Sequence, residues 1–451
     1  MKYLSSIIFG FLWMGLSAQT PQETLSLSLE EAIALGLENN YSSIRSEKEV
    51  EKALKQKWEI ISQGLPQITG DVDYQNFLKQ PVTIIPGEIA GGEPGTFVPV
   101  RFGTKQNLNG TATWNQLIFD GSYIVGVQSA RTLLQISKNA KVKTDLEVRK
   151  AVINAYGNVL MAEESVAILQ NNLENVEKNL SDTQKIYENG LAEEEDVEQL
   201  KITRLGIENN LNRSVRMLDI AYQVLNMALG IPVEKPVTLT EDLDNLAVQF
   251  IDLQVLEKSI PVEENIDVRI AANTAEAANI YVRLEKAKAL PTLNGFLNYG
   301  VAGYSDDFTF FDEEQEYFGQ SILGLSLNIP IFSSGMRSSR TKQKELEYEQ
   351  AMLDLEETKN QVRLEIESAK SNYRYSLENY QAQQENLQLA ERIENKNQIK
   401  FFEGLASSFE LSEAQRQLYA AQQSLLEAML EVINAKVELE NILDTTHYSE
   451  D

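Results

Sequence analysis

The chain repeats itself at long period. Gly64-Leu65-Pro66, with Gly70 and Tyr74 beyond it, returns as Ala289-Leu290-Pro291 with Gly295 and Tyr299, at an offset of 225. Asn115-Gln116-Leu117-Ile118-Phe119-Asp120-Gly121 returns as Asn328-Ile329-Pro330-Ile331-Phe332-Ser333-Ser334, at an offset of 213. Tyr187-Glu188-Asn189-Gly190-Leu191-Ala192 returns as Phe401-Phe402-Glu403-Gly404-Leu405-Ala406, at 214. A repeat of this length and near-constant offset means that one structural unit has been duplicated, so any fold must accommodate it twice. The repeats run over 19–230 and 231–446, followed by a short tail, 447–451. The drop in offset leaves about 12 extra residues in the first half, where Pro86, Gly87, Gly91, Gly92, Pro94 and Gly95 read as a loop insertion.

Each repeat ends in helices too long for a compact domain. Leu411, Leu418, Leu425, Val432 and Leu439 recur at sevens, interleaved with Ala414, Ala421, Ala428, Ala435 and Ile442. This alternation of three and four keeps one apolar seam against a partner helix, as in a coiled coil. The matching first-half segment carries Val197, Leu200, Ile207, Leu211, Leu218, Ala221, Leu225 and Ala228, with Arg204 and Ser214 as polar exceptions. Preceding segments have their own seams, one from Val152 through Val159, Val166 and Leu173 to Leu180, the other from Val362 through Ala369, Tyr373 and Tyr380 to Ala390. No proline interrupts Gly121 to Asn189, so a helix of up to roughly 69 residues and 100 Å is allowed. Gly190 and Gly404 then supply the left-handed conformation that ends a helix cheaply. Each repeat therefore predicts an antiparallel helical hairpin with glycine at its tip.

Between the helices lie short stretches of period two. Ser321 to Ile329 places Leu323, Leu325, Leu327 and Ile329 on one face and Gly324, Ser326 and Asn328 on the other; Thr292 to Tyr299 alternates likewise. In the first half Ile68, Val72 and Tyr74, then Leu108, Ala112 and Trp114, give two more strands. Strands of about ten residues with one apolar face suit a transmembrane barrel. Four strands cannot close on themselves, and open edges are not tolerated in lipid, so several chains must pool them; three would give twelve. The connections, about 79–106 and 305–319, hold the Gly/Pro cluster in one and Asp306, Asp307, Asp312, Glu313, Glu314 and Glu316 in the other. A soluble sheet packed on a free, secreted coiled-coil scaffold is the alternative that the same heptads allow.

Composition removes other classes. Among 451 residues are 40 Lys and Arg against 67 Asp and Glu, for a net charge of -27, with no cysteine and the single histidine His447. One histidine and no thiol cannot build a multi-ligand zinc site or a Ser-His-Asp relay, and disulfides are impossible. A chain this acidic without a basic run repels nucleic acid. No nucleotide, flavin or metal motif is apparent, so neither enzyme activity nor a cofactor is expected. Residues 1–18 have one Lys, an apolar stretch from Ile7 to Leu16 and a small-residue end, the pattern of a secretory signal peptide. Beyond them no stretch reaches the ~20 apolar residues of a spanning helix, so membrane entry would use strands.

The duplicated halves, the Leu-Pro before each first strand, the Ile-Phe before each long helix and the paired Gly-Leu tips resemble the TolC-type outer-membrane efflux proteins. The likeness implies an α+β membrane protein: a homotrimer in which four strands per chain form a twelve-stranded β-barrel in the cell outer membrane, continued by coiled-coil hairpins as a periplasmic α-barrel. It implies a passive exit duct of a tripartite efflux or secretion system, fed by an inner-membrane transporter and a periplasmic adaptor protein. By position, the resemblance assigns Asp196, Glu410 and Glu413 to the narrow mouth, where repeated carboxylates attract cations. It assigns Gly190, Leu191, Gly404 and Leu405 to the docking tips. Some relatives lock the mouth with a tyrosine and an arginine where this chain has Phe401 and Ala406, so closure here is expected to rest on packing or other residues. Neither the substrate nor the pump class can be read from the chain.

Overall fold

A computed structural model of the chain describes residues 25–258 and 260–443; the expected signal segment, the tail 447–451 and His447 lie outside the described residues. The first half runs β1 (Leu25–Leu27), α1 (Leu29–Asn39), α2 (Tyr41–Ser62), β2 (Gln67–Asn76), β3 (Thr83–Pro86), β4 (Phe97–Val100), β5 (Gln106–Asp120), α3 (Gly121–Glu188) and α4 (Glu194–Leu229). The second half runs β6 (Val237–Leu239), α5 (Leu243–Gln249), α6 (Gln254–Glu257), α7 (Ile266–Ala287), β7 (Thr292–Ser305), β8 (Tyr317–Asn328), α8 (Met336–Phe402) and α9 (Ser408–Leu443). The duplication is visible in the lengths: 22 residues in α2 and α7, 68 and 67 in α3 and α8, 36 in both α4 and α9. It also appears in pairing, since β1 and β6 lie parallel with Leu25 opposite Val237.

The long helices form because no proline stops them, and the start of α3 is capped. The Asp120 carboxylate accepts the Ser122 and Tyr123 N–H groups at 2.7 and 3.2 Å, satisfying donors that the first turn of α3 leaves free. From there α3 runs 68 residues, roughly 100 Å at 1.5 Å per residue. No described helix is long and apolar enough to cross a membrane.

The described residues fall into two compact units, each drawing on both repeats. One comprises the described residues of 1–45, 143–261 and 363–451. Its core joins Val152, Ile153, Tyr156 and Val159 of α3, Leu225 and Leu229 of α4, Ala369 and Tyr373 of α8, and Val432, Ile433 and Val437 of α9. Fully burying a side chain of this size stabilises by about 1.5–3 kcal/mol before entropy opposes it. The heptad positions of α9, from Leu411 to Ile442, are all buried or half-buried. Arg204, a polar exception in the α4 seam, instead reaches the Glu177 and Glu208 carboxylates at 3.5 and 3.3 Å. Buried hydroxyls tie connections to the helices. Tyr156 donates to the Leu27 carbonyl at 3.1 Å, and Tyr373 donates to the Phe250 carbonyl while accepting the Asp252 N–H, both at 2.8 Å. The helix α4 ends at Gly230, whose φ of 72° is left-handed.

The other unit, residues 46–142 and 262–362, holds a four-stranded antiparallel sheet in the order β2-β5-β7-β8. Gln116 on β5 donates to the Gly64 carbonyl at 2.7 Å and Tyr123 at the start of α3 to the Ile61 carbonyl at 2.9 Å, fixing the α2-to-β2 corner. The expected loop insertion is more ordered than its glycines and prolines suggest. Residues 83–86 and 97–100 pair as the antiparallel hairpin β3-β4, with Ile85 opposite Val98, joined by a 3-10 turn over Gly87–Ala90 that closes at Gly91. Its β-branched residues supply the pairing; four-residue strands are too short for a periodicity to register.

Candidate functional site

The strand registers put every side chain of the sheet on one of two faces. On one face the rows read Ile68-Trp114-Leu297-Leu323, Gly70-Ala112-Tyr299-Ser321, Val72-Gly110-Val301-Gly319 and Tyr74-Leu108-Gly303-Tyr317. This face is apolar and bare: Ile68, Val72, Leu323 and Leu325 are between 72% and 77% exposed. On the other face the rows include Thr69-Thr113-Asn298-Ile322, Asp71-Thr111-Gly300-Gln320 and Asp73-Asn109-Ala302-Phe318. Asn298 donates to the Thr113 hydroxyl across it at 3.0 Å. Both faces of the outer strands are exposed in the single chain; a protein in water buries an apolar face of this kind and one in lipid leaves it bare.

Aromatic rings gather where the strands end. Phe310, buried in the 306–316 connection, meets Tyr74 edge-on at 5.9 Å, and Phe308 meets Tyr74 at 5.6 Å. Rings with one apolar side and one wet edge sit well at the border between hydrocarbon and water. Both outer strands of the sheet, β2 and β8, lack a second neighbour among the described residues.

The helical tips in the first unit follow the glycine signal. At the end of α3 the Gly190 N–H bonds the Tyr187 carbonyl at 2.8 Å and the Leu191 N–H bonds the Ile186 carbonyl at 3.0 Å. At the end of α8 the Gly404 N–H bonds Phe401 at 3.0 Å and the Leu405 N–H bonds Lys400 at 2.8 Å. Both are Schellman turns, with φ of 75° at Gly190 and 72° at Gly404. That motif usually buries the residue after the glycine against the helix it ends. Here Leu191 and Leu405 stay 81% and 72% exposed, so the turn does not use them.

The three acidic residues assigned to the mouth have local work. The Asp196 carboxylate accepts the Glu193 N–H at 3.3 Å in a capping box at the start of α4, and its other oxygen accepts the Ser408 N–H at 3.4 Å, joining the two hairpins. Glu410 forms the equivalent box in the second half, accepting the Ser407 N–H at 2.8 Å while the Ser407 hydroxyl accepts the Glu410 N–H at 3.3 Å. Those Ser407 bonds hold the Glu410 carboxyl below its usual range. Glu413 pairs with Arg416, accepts from Gln417 at 3.1 Å and lines a cavity of about 310 Å³ with Phe409, Ser412 and Tyr419. Phe401 packs edge-on against Phe402 at 5.5 Å.

Sequence reasoning missed a polar stretch inside these hairpins. Asn172, Asn179, Thr183, Ser408, Ser412 and Gln415 are all buried. Asn172 donates to Gln422 at 3.0 Å and Thr203 to Ser412 at 3.2 Å, but Asn179 Nδ2, Thr183 Oγ1 and Gln415 Oε1 have no partner. Burial pushes the Glu394 carboxyl up beside Gln415, and burial with the Glu394 charge pushes the Tyr419 phenol up. Each unmet buried group costs about 1–3 kcal/mol. Among the described residues no group of three or more His, Cys, Asp or Glu is placed to hold a metal ion.

Comparison with known proteins agrees with this architecture. The outer membrane efflux protein family matches residues 262–445. The chain is 23% identical over 341 residues to the outer membrane protein TolC of Vibrio cholerae, covering 75% of this chain and 77% of that one. It is 22% identical over 325 residues to the probable efflux pump outer membrane protein TtgC of Pseudomonas putida, covering 72% of this chain and 65% of the relative. Its fold matches the solved structure of CusC with a TM-score of 0.72 at 19% identity, over 92% of this chain and 91% of that one. The chain thus shares a sequence pattern with the outer membrane efflux protein family across its second repeat, and a fold with solved outer-membrane channels across nearly the whole described length.

Proposed function

We propose that three copies of this chain close their sheets into one twelve-stranded barrel in the cell outer membrane and together form a passive exit duct. The observation that carries this reading is the sheet itself: one bare apolar face, one polar face and two unpaired outer strands. Lipid covers the apolar face, and β2 of each copy pairs with β8 of the next, leaving no edge in hydrocarbon. Twelve strands about 4.8 Å apart and tilted about 40° give a barrel roughly 24 Å across between backbones, wide enough for a water-filled lumen. A secreted coiled-coil scaffold would account for the heptads but would leave the apolar face in water.

In this reading the helical tips meet a periplasmic adaptor protein, which couples the duct to an inner-membrane transporter. The exposed Leu191 and Leu405 beside Gly190 and Gly404 support that assignment, because the turns they belong to do not need them. Asp196, Glu410 and Glu413 face the mouth in threefold copies and favour cations, while also capping and pairing locally. With Phe401 and Ala406 at the positions where some relatives bear a locking pair, closure rests on Asp196 with Ser408 and on packing of Phe401. The duct performs no chemistry of its own.

Because the chain has no cysteine, the seam can be tested cleanly. One cysteine replacing Thr69 on β2, combined in turn with cysteines along β8, gives a covalent three-chain species in the purified protein, which also conducts ions across a planar lipid film. A monomer in detergent that yields no linked species and no conductance removes the duct.

A further inference from the structure

The polar face of the sheet is interrupted by rings. Tyr304 continues that face at the end of β7, in the row of Asn107, and Phe318 lies in the row of Asp73 and Asn109. The two rings sit 6.2 Å apart and remain 47% and 58% exposed. Neither is needed to cover a core, and lipid lies on the opposite face. The same face also carries carboxylates and amides: Asp71 and Asp73, on β2 at the opposite edge of the sheet, have no ion-pair partner among the described residues, and Gln320 follows Phe318 on β8. In a barrel closed by pairing β8 with the next copy's β2, the acidic strand of that copy comes alongside Phe318, about 4.8 Å from β8.

Resting on the duct reading, we propose that Tyr304 and Phe318, bordered by Asp71 and Asp73 of the adjoining copy, form a lumenal binding site for amphipathic organic cations. Ring faces attract a cation electrostatically and offer apolar area to its substituents. Carboxylates in the same belt supply the net charge that a ring lacks and set the sign of the solute. A bare metal ion gains nothing from the apolar area, and an anion is repelled. The site repeats three times around the lumen. At a barrel width of roughly 24 Å the copies do not touch one another, so each stays open to solutes passing through.

The test uses the purified full chain in planar lipid films with tetraphenylphosphonium as the probe, added on the side of the strand connections. Wild-type current falls with probe concentration, and tetraethylammonium, with the same charge and no rings, needs at least about tenfold more for the same block. Tyr304→Ser combined with Phe318→Ser raises the half-blocking concentration about tenfold while leaving potassium chloride conductance intact. Phe318→Leu keeps the apolar volume and loses the ring, so it raises the half-blocking concentration severalfold even if the double variant fails to assemble. Asp71→Asn with Asp73→Asn weakens the block as well. Half-blocking concentrations within twofold of wild type in the ring variants, or equal block by both cations, overturn the site while the conductance stands. Absence of any conductance overturns the duct and the site with it.

Discussion

Gly404 and Gly230 share a φ of 72°, yet their surroundings differ, and the pair separates backbone strain from steric contact. A Cβ built at Gly404 meets nothing within 4 Å, so Gly404→Ala costs only the left-handed strain, about 1–2 kcal/mol. A Cβ at Gly230 falls 2.1 Å from the Asn39 carbonyl oxygen and 2.7 Å from the Asn40 nitrogen. Those are main-chain atoms at the end of α1, which cannot rotate aside, so Gly230→Ala costs at least about 4 kcal/mol. Gly404→Asn recovers most of the alanine loss, because asparagine adopts the left-handed region more readily. Thermal unfolding in detergent reads the Gly230 effect, and amide exchange around residues 400–410 reads the local one at the tip. A photocrosslinker at Leu405 reports adaptor contact independently of the turn. Equal destabilisation by the two alanines would show that the Asn39 contact carries no weight. Asparagine as harmful as alanine would show that conformation does not govern the tip.

Replacing Glu410 and Glu413 together with alanine reduces cation preference in a salt gradient, and an unchanged reversal potential removes them from the mouth; Glu410→Gln serves as the control that drops the charge with the least change in shape. The lowered Glu410 carboxyl sets a pH window. Its contribution to the α9 cap is complete above its ordinary value of 4.5 and is lost as pH falls through its lower folded value. Amide exchange at the start of α9 therefore accelerates below pH 4.5 in wild type, and a Ser407→Ala chain, lacking the hydroxyl half of the box, shows a smaller change. Identical pH profiles would mean that this cap is not the titrating contact.

Much of the architecture is legible because its signals are local or periodic. The heptads, the proline-free run to Asn189 and the glycines at 190 and 404 each act within a few turns of one helix, and the strands announce themselves by alternation. The capping role of Glu410 was open to reading too, since Ser407 stands three residues before it as a capping box requires. What stayed hidden depends on alignment between elements. The buried Asn179, Thr183 and Gln415 look like ordinary surface residues until two hairpins are set side by side. Likewise Phe318 is one aromatic in an edge strand until the register puts it in the row of Asp73. The β3-β4 hairpin escaped for the opposite reason, being shorter than any period that could reveal it.

The free flanks of β2 and β8 carry a cost before assembly. A newly exported chain offers two ribbons of unsatisfied amides beside greasy side chains, and either ribbon will accept any extended polypeptide it meets, including a wrong one. Its helical portion has a core of its own and can form early, whereas under the proposed three-copy closure the strands gain most only when two siblings arrive. If the proposed closure holds, biogenesis is a race between correct threefold pairing and clumping in transit, which makes escort by a holding chaperone, or synthesis slow enough to keep stray copies dilute, part of what this fold demands of its cell.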